Sequence, residues 1–141
     1  MAAAAAWVLR DADVERQRQA RLRDDFWRRI AEAFRDVQQN GDPAHRLANT
    51  LNTSFIGLDS ETMLMALDLE GVCASSGSAC MVGSVRASHV LLAMGLPMES
   101  ARSAIRFSLG RRTTAEEIAG AANALQQIAK RTKDAREYAL A

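Results

Sequence analysis

Two side chains in this sequence have a type and a setting suited to chemistry: Cys80 and Arg106. Cys80 sits in the segment Ser75–Ser84, SSGSACMVGS, where every other residue except Met81 and Val82 is Ser, Gly or Ala. Such a segment has few groups to bury and low barriers to backbone motion. A thiol there is open to a partner, and neighbouring hydroxyls and backbone N–H groups can stabilise the thiolate, which is the nucleophilic form. Composition alone also allows a passive surface thiol. Arg106 lies between Ile105 and Phe107, on the polar side of an alternating run. A guanidinium held on a rigid strand can grip a carboxylate through two parallel hydrogen bonds. The local pattern equally allows an ordinary salt bridge.

The remaining candidates have simpler roles. Cys73, in the apolar run Gly71-Val72-Cys73-Ala74, is expected to be a small buried hydrophobe. Seven positions separate the two cysteines, which fits neither a Cys-x-x-Cys pair nor a zinc site. No disulfide framework and no intrinsic metal site are expected, and a reducing cytoplasm is the default compartment. His45 and His89 have no second histidine or carboxylate at metal spacing and are assigned no function. Met63, Met65, Met94 and Met98 fall in apolar patterns and are expected to fill the core. Arg111 and Arg112, directly after Gly110, are expected in a solvated turn.

The elements that must position Cys80 and Arg106 follow from periodicity. Leu22, Phe26, Ile30, Ala33, Phe34 and Val37 recur at steps of three and four, which predicts one helix from about Ala3 to Gln38. Eight arginines alternate with seven acids between Arg10 and Asp36, the pattern of a solvated face with i,i+4 pairs rather than a nucleic-acid-binding helix. Asn40-Gly41-Asp42-Pro43 supplies a stop. Leu51–Ile56 predicts a strand with Leu51, Thr53 and Phe55 on one face. Gly57 turns the chain, and Asp59 or Ser60 caps a helix to about Leu69 that buries Met63, Leu64 and Leu67. Gly71 breaks that helix, and Val72–Ala74 is expected as a short strand. Ser88 caps a helix to Met94, and a second short helix covers about Met98–Ala101. Ser103–Leu109 alternates Ile105, Phe107 and Leu109 against Ala104, Arg106 and Ser108, which predicts a strand. A capping box, Thr113 with Glu116 or Thr114 with Glu117, starts a last helix to about Tyr138, with Ile118, Ala121, Ala122, Leu125 and Ile128 inward. A small sheet packed by helices, an α/β fold of the α+β type, is the expected architecture.

Bulk properties set the frame. At 141 residues and 48% hydrophobic content the chain suffices for one domain with a core, here residues 1–141, and not for two. A net charge of +1 gives no global field to recruit nucleic acid or membrane. No stretch approaches the ~18 apolar residues of a membrane-spanning helix. The start, MAAAAAW, lacks the basic region of a secretory signal and continues the first helix.

The order of motifs is also familiar. Ala74–Cys80 (ASSGSAC), Ser88–Leu96 (SHVLLAMGL), Ile105–Arg111 (IRFSLGR) and Thr113–Ile118 (TTAEEI), with Asn49–Asn52, Ser54-Phe55 and Glu61–Leu69 before them, resemble the C-terminal region of cysteine desulfurases. These are pyridoxal-phosphate enzymes of the class V aminotransferase group. The resemblance runs from the first helix to about Lys130. It implies the small C-terminal domain of a fold-type-I pyridoxal-phosphate transferase. It also implies a reaction in which the cofactor activates L-cysteine and an active-site thiolate, by motif position Cys80, takes the substrate sulfur as a persulfide, leaving L-alanine. It makes Arg106 the residue that binds the substrate carboxylate. Segment mobility then lets one sulfur reach the cofactor and later an acceptor. Implied partners are the pyridoxal-phosphate-binding domain, a second subunit in a homodimer, and a sulfur acceptor or iron–sulfur scaffold that Cys80 contacts transiently. Two departures, Met81-Val82 for small hydroxyl residues and Arg86-Ala87 for an acid and proline, bear on the acceptor.

What the resemblance calls for and this sequence lacks is the large cofactor-binding domain. The cofactor needs a lysine for its Schiff base. Lys130 and Lys133, the only lysines, fall on the last helix, and there is no His-Lys pair. The chain alone is therefore expected to bind no cofactor and to be inactive. A non-catalytic sulfur-relay or partner-docking module is the alternative; a class V enzyme with another substrate would have no need of the thiol.

Overall fold

The computed structural model describes residues 11–76 and 87–139, with side chains through residue 132. Its elements are α1 (Ala12–Ala33), β1 (Val37–Gln39), β2 (Thr50–Phe55), α2 (Ser60–Leu69), α3 (His89–Ala93), α4 (Met98–Arg102), β3 (Ala104–Ser108) and α5 (Ala115–Ala139). The strands form one antiparallel sheet in the order β1-β2-β3. This is the α/β architecture expected, with a small sheet and helices packed on it.

One face of the sheet carries the core. Leu51, Thr53 and Phe55 of β2 and Ile105 and Phe107 of β3 are buried there against Phe26 and Ile30 of α1, Met63 and Leu67 of α2, and Ile118, Leu125 and Ile128 of α5. Phe26 meets Phe107, and Phe34 meets Phe55, each edge to face at 5.0 Å between ring centroids. Phe26, Phe55 and Phe107, all buried, each contribute roughly 2–3 kcal/mol through removal from water, and the half-buried Phe34 contributes less. Among the described residues the other face is covered at one end, by Leu91 of α3 and Ala101 of α4 packed on Ala104.

Side-chain bonds fix the joints. Arg18 of α1 reaches the turn between β3 and α5, donating to the carbonyls of Thr113 at 2.7 Å and Arg111 at 2.9 Å while Glu15 holds it at 2.8 and 2.9 Å. Arg23, buried in the same helix, donates to the Leu47 carbonyl at 2.9 Å. Asp59 caps α2 by accepting from the Thr62 N–H at 2.8 Å. The capping box at α5 is the Thr114/Glu117 pair, closed in both directions at 2.9 and 3.2 Å.

Several expectations are corrected. The first helix ends at Ala33, not near Gln38, and Val37–Gln39 pairs with β2 as Val37↔Phe55 through Gln39↔Thr53; its expected beginning lies outside the described residues. Asn40-Gly41-Asp42-Pro43 therefore ends a strand, with Gly41 at φ +92° and Asp42 accepting from the Ala44 N–H. Val72–Ala74 is not a strand. It is an extended connection whose Val72 and Ala74 pack on the core, so the intervening Cys73 points outward and is exposed. Met63 is buried as expected, but Met65, Met94 and Met98 are exposed, since they fall on the outer sides of short helices. Arg112 is exposed, whereas Arg111 pairs with Asp11 at 3.2 Å.

Candidate functional site

Arg106 sits at the centre of β3 on the face away from the main core. Its neighbours Ile105 and Phe107 are buried on the opposite side, and Arg106 itself is half-buried. Alternation along the strand is what separates them. The packing of Phe107 on Phe26 fixes the strand and so the base of the arginine.

Two backbone contacts define what lies beside it. On one side Arg106 exchanges both hydrogen bonds with Ser75, its N–H donating to the Ser75 carbonyl at 2.7 Å and its carbonyl accepting at 3.0 Å. On the other side it stands opposite Asn52. Because the backbone polar groups of Arg106 point to Ser75, the Asn52–Arg106 pair is of the non-hydrogen-bonded kind, in which facing side chains come closest. Asn52 in turn points its carbonyl to Asn40, whose N–H donates to it at 2.9 Å. Asn40, Asn52, Arg106 and Ser75 thus form a row across the sheet.

Asn40 Nδ2 donates to Asn52 Oδ1 and to Ser54 Oγ, both at 2.7 Å, and Ser54 Oγ donates to the Ser100 carbonyl of α4 at 2.7 Å. Asn40 and Ser54 are buried; Asn52 and Arg106 are half-buried at the open end of the network. Among the described residues no side-chain hydrogen bond or ion pair engages the Arg106 guanidinium, so the ordinary salt bridge that its sequence setting allowed is not formed there. Asn40, Asn52, Ser54 and Ser75 were not singled out by sequence reasoning. The available signal was the alternation of Asn52 and Ser54 with Leu51, Thr53 and Phe55, which marks a second, polar face of β2.

Cys80 lies outside the described residues, as do Met81, Val82 and Arg86. Ser75 and Ala87 are the described residues on either side of that segment nearest the sheet and α3. His89 is exposed on α3, and His45 is exposed and bonded to Asp42, whose carboxyl is held below its ordinary value first by that histidine. Among the described residues no three His, Cys, Asp or Glu side chains stand close enough to hold a metal, and no helix is long and apolar enough to cross a membrane.

The described residues do not fit pyridoxal phosphate. Lys130 lines a groove of about 610 Å³ with Phe34, Asp36, Phe55, Ile56 and Gln126. Phe55 belongs to the core face of the sheet, whereas Arg106 stands on the opposite face. A Schiff base on Lys130 would lie across the sheet from the candidate carboxylate site.

A family model described as aminotransferase class-V matches residues 1–120. The chain is 40% identical over 128 residues to the protein named cysteine desulfurase IscS of Dictyoglomus turgidum, covering 91% of this chain and 32% of that protein. It is 46% identical over 106 residues to cysteine desulfurase 2 of Trichormus variabilis, covering 75% of this chain and 26% of that protein. The X-ray structure of a NifS-like protein from Rickettsia africae matches with a TM-score of 0.70 at 27% identity, over 82% of this chain and 29% of that one. The chain thus spans about a third or less of the length of the curated relatives it matches, 32% and 26% for these two. These similarities, together with a sheet and helices arranged as in a NifS-like protein, mean that the chain belongs to the aminotransferase class-V family.

Proposed function

We propose that this chain, as a single domain, is the C-terminal part of a cysteine desulfurase, working with a cofactor-binding portion that supplies pyridoxal phosphate. Arg106 binds the carboxylate of L-cysteine, and Cys80 takes the sulfur. The S–S bond of a Cys80 persulfide forms as the Cβ–S bond of the substrate breaks, and the organic product leaves as L-alanine. The cofactor, held by the remainder of the enzyme, supplies the electron sink for that cleavage. The complete enzyme acts in the cytoplasm as a homodimer and passes sulfur on to an acceptor such as an iron–sulfur scaffold. The 141-residue chain by itself is inactive.

One observation carries this reading: the backbone bridge between Ser75 and Arg106. It ties the root of the cysteine-bearing segment to the arginine. Cys80 is five residues beyond Ser75, so covalent geometry keeps their Cα atoms within about 18 Å. The thiol and the carboxylate grip are therefore tethered to one strand, as a reaction on a single small amino acid requires.

The test is complementation. The chain is co-expressed with a cofactor-binding portion from a class-V relative, and persulfide is measured on the chain after addition of cysteine. Persulfide that appears with wild type and is absent from Cys80→Ser supports the reading. Sulfur transfer that survives Cys80→Ser removes Cys80 from its role.

A further inference from the structure

The direction of the hydrogen bonds beside Arg106 is fixed, and it leaves donors where a ligand would sit. The Ser100 carbonyl can only accept. Ser54 Oγ donates its one proton to it, at 2.7 Å, and so can only accept from Asn40. The atom of Asn40 at 2.7 Å from Ser54 Oγ must therefore be Nδ2; turning the amide over would set two oxygens face to face without a proton. The same Nδ2 lies 2.7 Å from Asn52, which must present Oδ1 to it. Asn52 Nδ2 is then directed away from Asn40. Holding this polarity leaves Asn40 Oδ1 buried without a partner.

Asn52 Nδ2 and the Arg106 guanidinium are thus two sets of donors on facing positions of one sheet face. Among the described residues neither has a hydrogen-bond acceptor. A guanidinium and an amide N–H₂ cannot satisfy each other. What completes them is an acceptor with two oxygens, one for each.

We propose that Asn52 is a second carboxylate-binding residue, acting with Arg106, and that Asn40 and Ser54 are the positioning residues that turn its N–H₂ toward the ligand. The proposal rests on the reading of Arg106 given above. It adds that recognition needs a side-chain amide as well as a cation, so the site selects a planar carboxylate over a spherical anion such as chloride.

The experiment follows the Asn52 Nδ2–H₂ and Arg106 Nε–Hε signals of the full chain by ¹⁵N NMR while acetate replaces chloride at constant ionic strength. Both signals shifting along one binding curve is the expected result. Asn52→Asp keeps an oxygen for Asn40 but removes the donors; in that variant the acetate response of Arg106 weakens about fivefold or more, as loss of a bond to a charged ligand requires. A shift at Arg106 with none at Asn52 overturns the proposal and leaves Arg106 as the carboxylate grip. No acetate-dependent shift at either residue overturns both. The retained β2–β3 backbone amide pattern certifies the variant, and if it does not fold the wild-type titration alone decides.

Discussion

Asn52 and Arg106 stand directly opposite each other on β2 and β3 as a non-hydrogen-bonded pair, with the backbone of Asn52 turned to Asn40 and that of Arg106 turned to Ser75. Among the described residues the arginine is thereby placed by the sheet and has no side-chain partner. Arg106→Ala should leave the fold intact. In the complemented enzyme it should lower kcat/KM for cysteine by about 30-fold or more, mainly through KM, since a charge-assisted pair to carboxylate is lost. Arg106→Lys should recover part of this, because a single ammonium lacks the guanidinium fork. Steady-state kinetics of the two variants decide it, and unchanged constants would return Arg106 to a structural role.

Ser54 is the buried link of the polar network, and its removal should cost stability. Ser54→Ala leaves one Asn40 proton without a partner and the Ser100 carbonyl with only the longer bond from Ser103 Oγ at 3.3 Å. The expected loss is about 1–3 kcal/mol, measured as a lower urea midpoint at unchanged slope.

Arg18 bridges α1 to the turn that launches α5 through bonds to the carbonyls of Arg111 and Thr113, and Glu15 holds it in place. That side chain is 37% exposed, which weakens each bond. Arg18→Ala should still destabilise the chain by about 1–2 kcal/mol in urea unfolding, more than the ~0.5 kcal/mol typical of a surface change.

Acid should loosen the chain through its caps. The Asp59 carboxyl is held below its ordinary value of 3.8, first by the Thr62 backbone N–H and then by the Thr62 hydroxyl. Asp25 is lowered in the same direction by Arg29 and then Arg28. A carboxyl whose folded value is depressed contributes stability that is present above its unfolded value and lost as pH falls through the folded one. The thermal midpoint should therefore be flat from neutral pH to about 5 and fall below about 4. Asp59→Asn, which still offers an oxygen to Thr62, should reduce that fall, whereas Asp59→Ala should cost about 1 kcal/mol at neutral pH.

The exposure of Cys73 gives a simple thiol count. The Cys80→Ser variant should still react with one equivalent of a disulfide reagent in the folded state. Protection of that last thiol until denaturation would contradict the outward direction of Cys73.

Local patterning carried much of the fold. The alternation of Ile105, Phe107 and Leu109 marks β3, and Asp59, Ser88 and Thr114 each cap the helix expected of them. The end of α1 was not legible for a definite reason. Val37 continues the spacing of Ile30, Ala33 and Phe34, so a helix and a helix followed by a strand give one pattern. What ends the helix is the pairing of Val37 with Phe55, a partner distant in sequence. Cys73 misled in a similar way: an apolar run suggested burial, but in an extended connection every second side chain faces out. Arg106 was legible as a candidate because it is a charge inside an apolar alternation. Its neighbours Asn40 and Ser75 were not, because they reach it only through sheet register.

The bridge at Ser75 also bears on how copies of this chain behave toward one another. A five-residue strand at the rim of a three-stranded sheet presents an outer row of backbone groups, the template on which a second chain could add and begin an aggregate. Ser75 occupies the middle of that row at Arg106, with Ala104 and Ser108 on either side of it among the described residues. Neither remnant is long enough to seed a new strand, and the arginine at its centre adds charge repulsion between like edges. The short contact that secures the candidate site thus also interrupts the β3 edge as a template for strand addition.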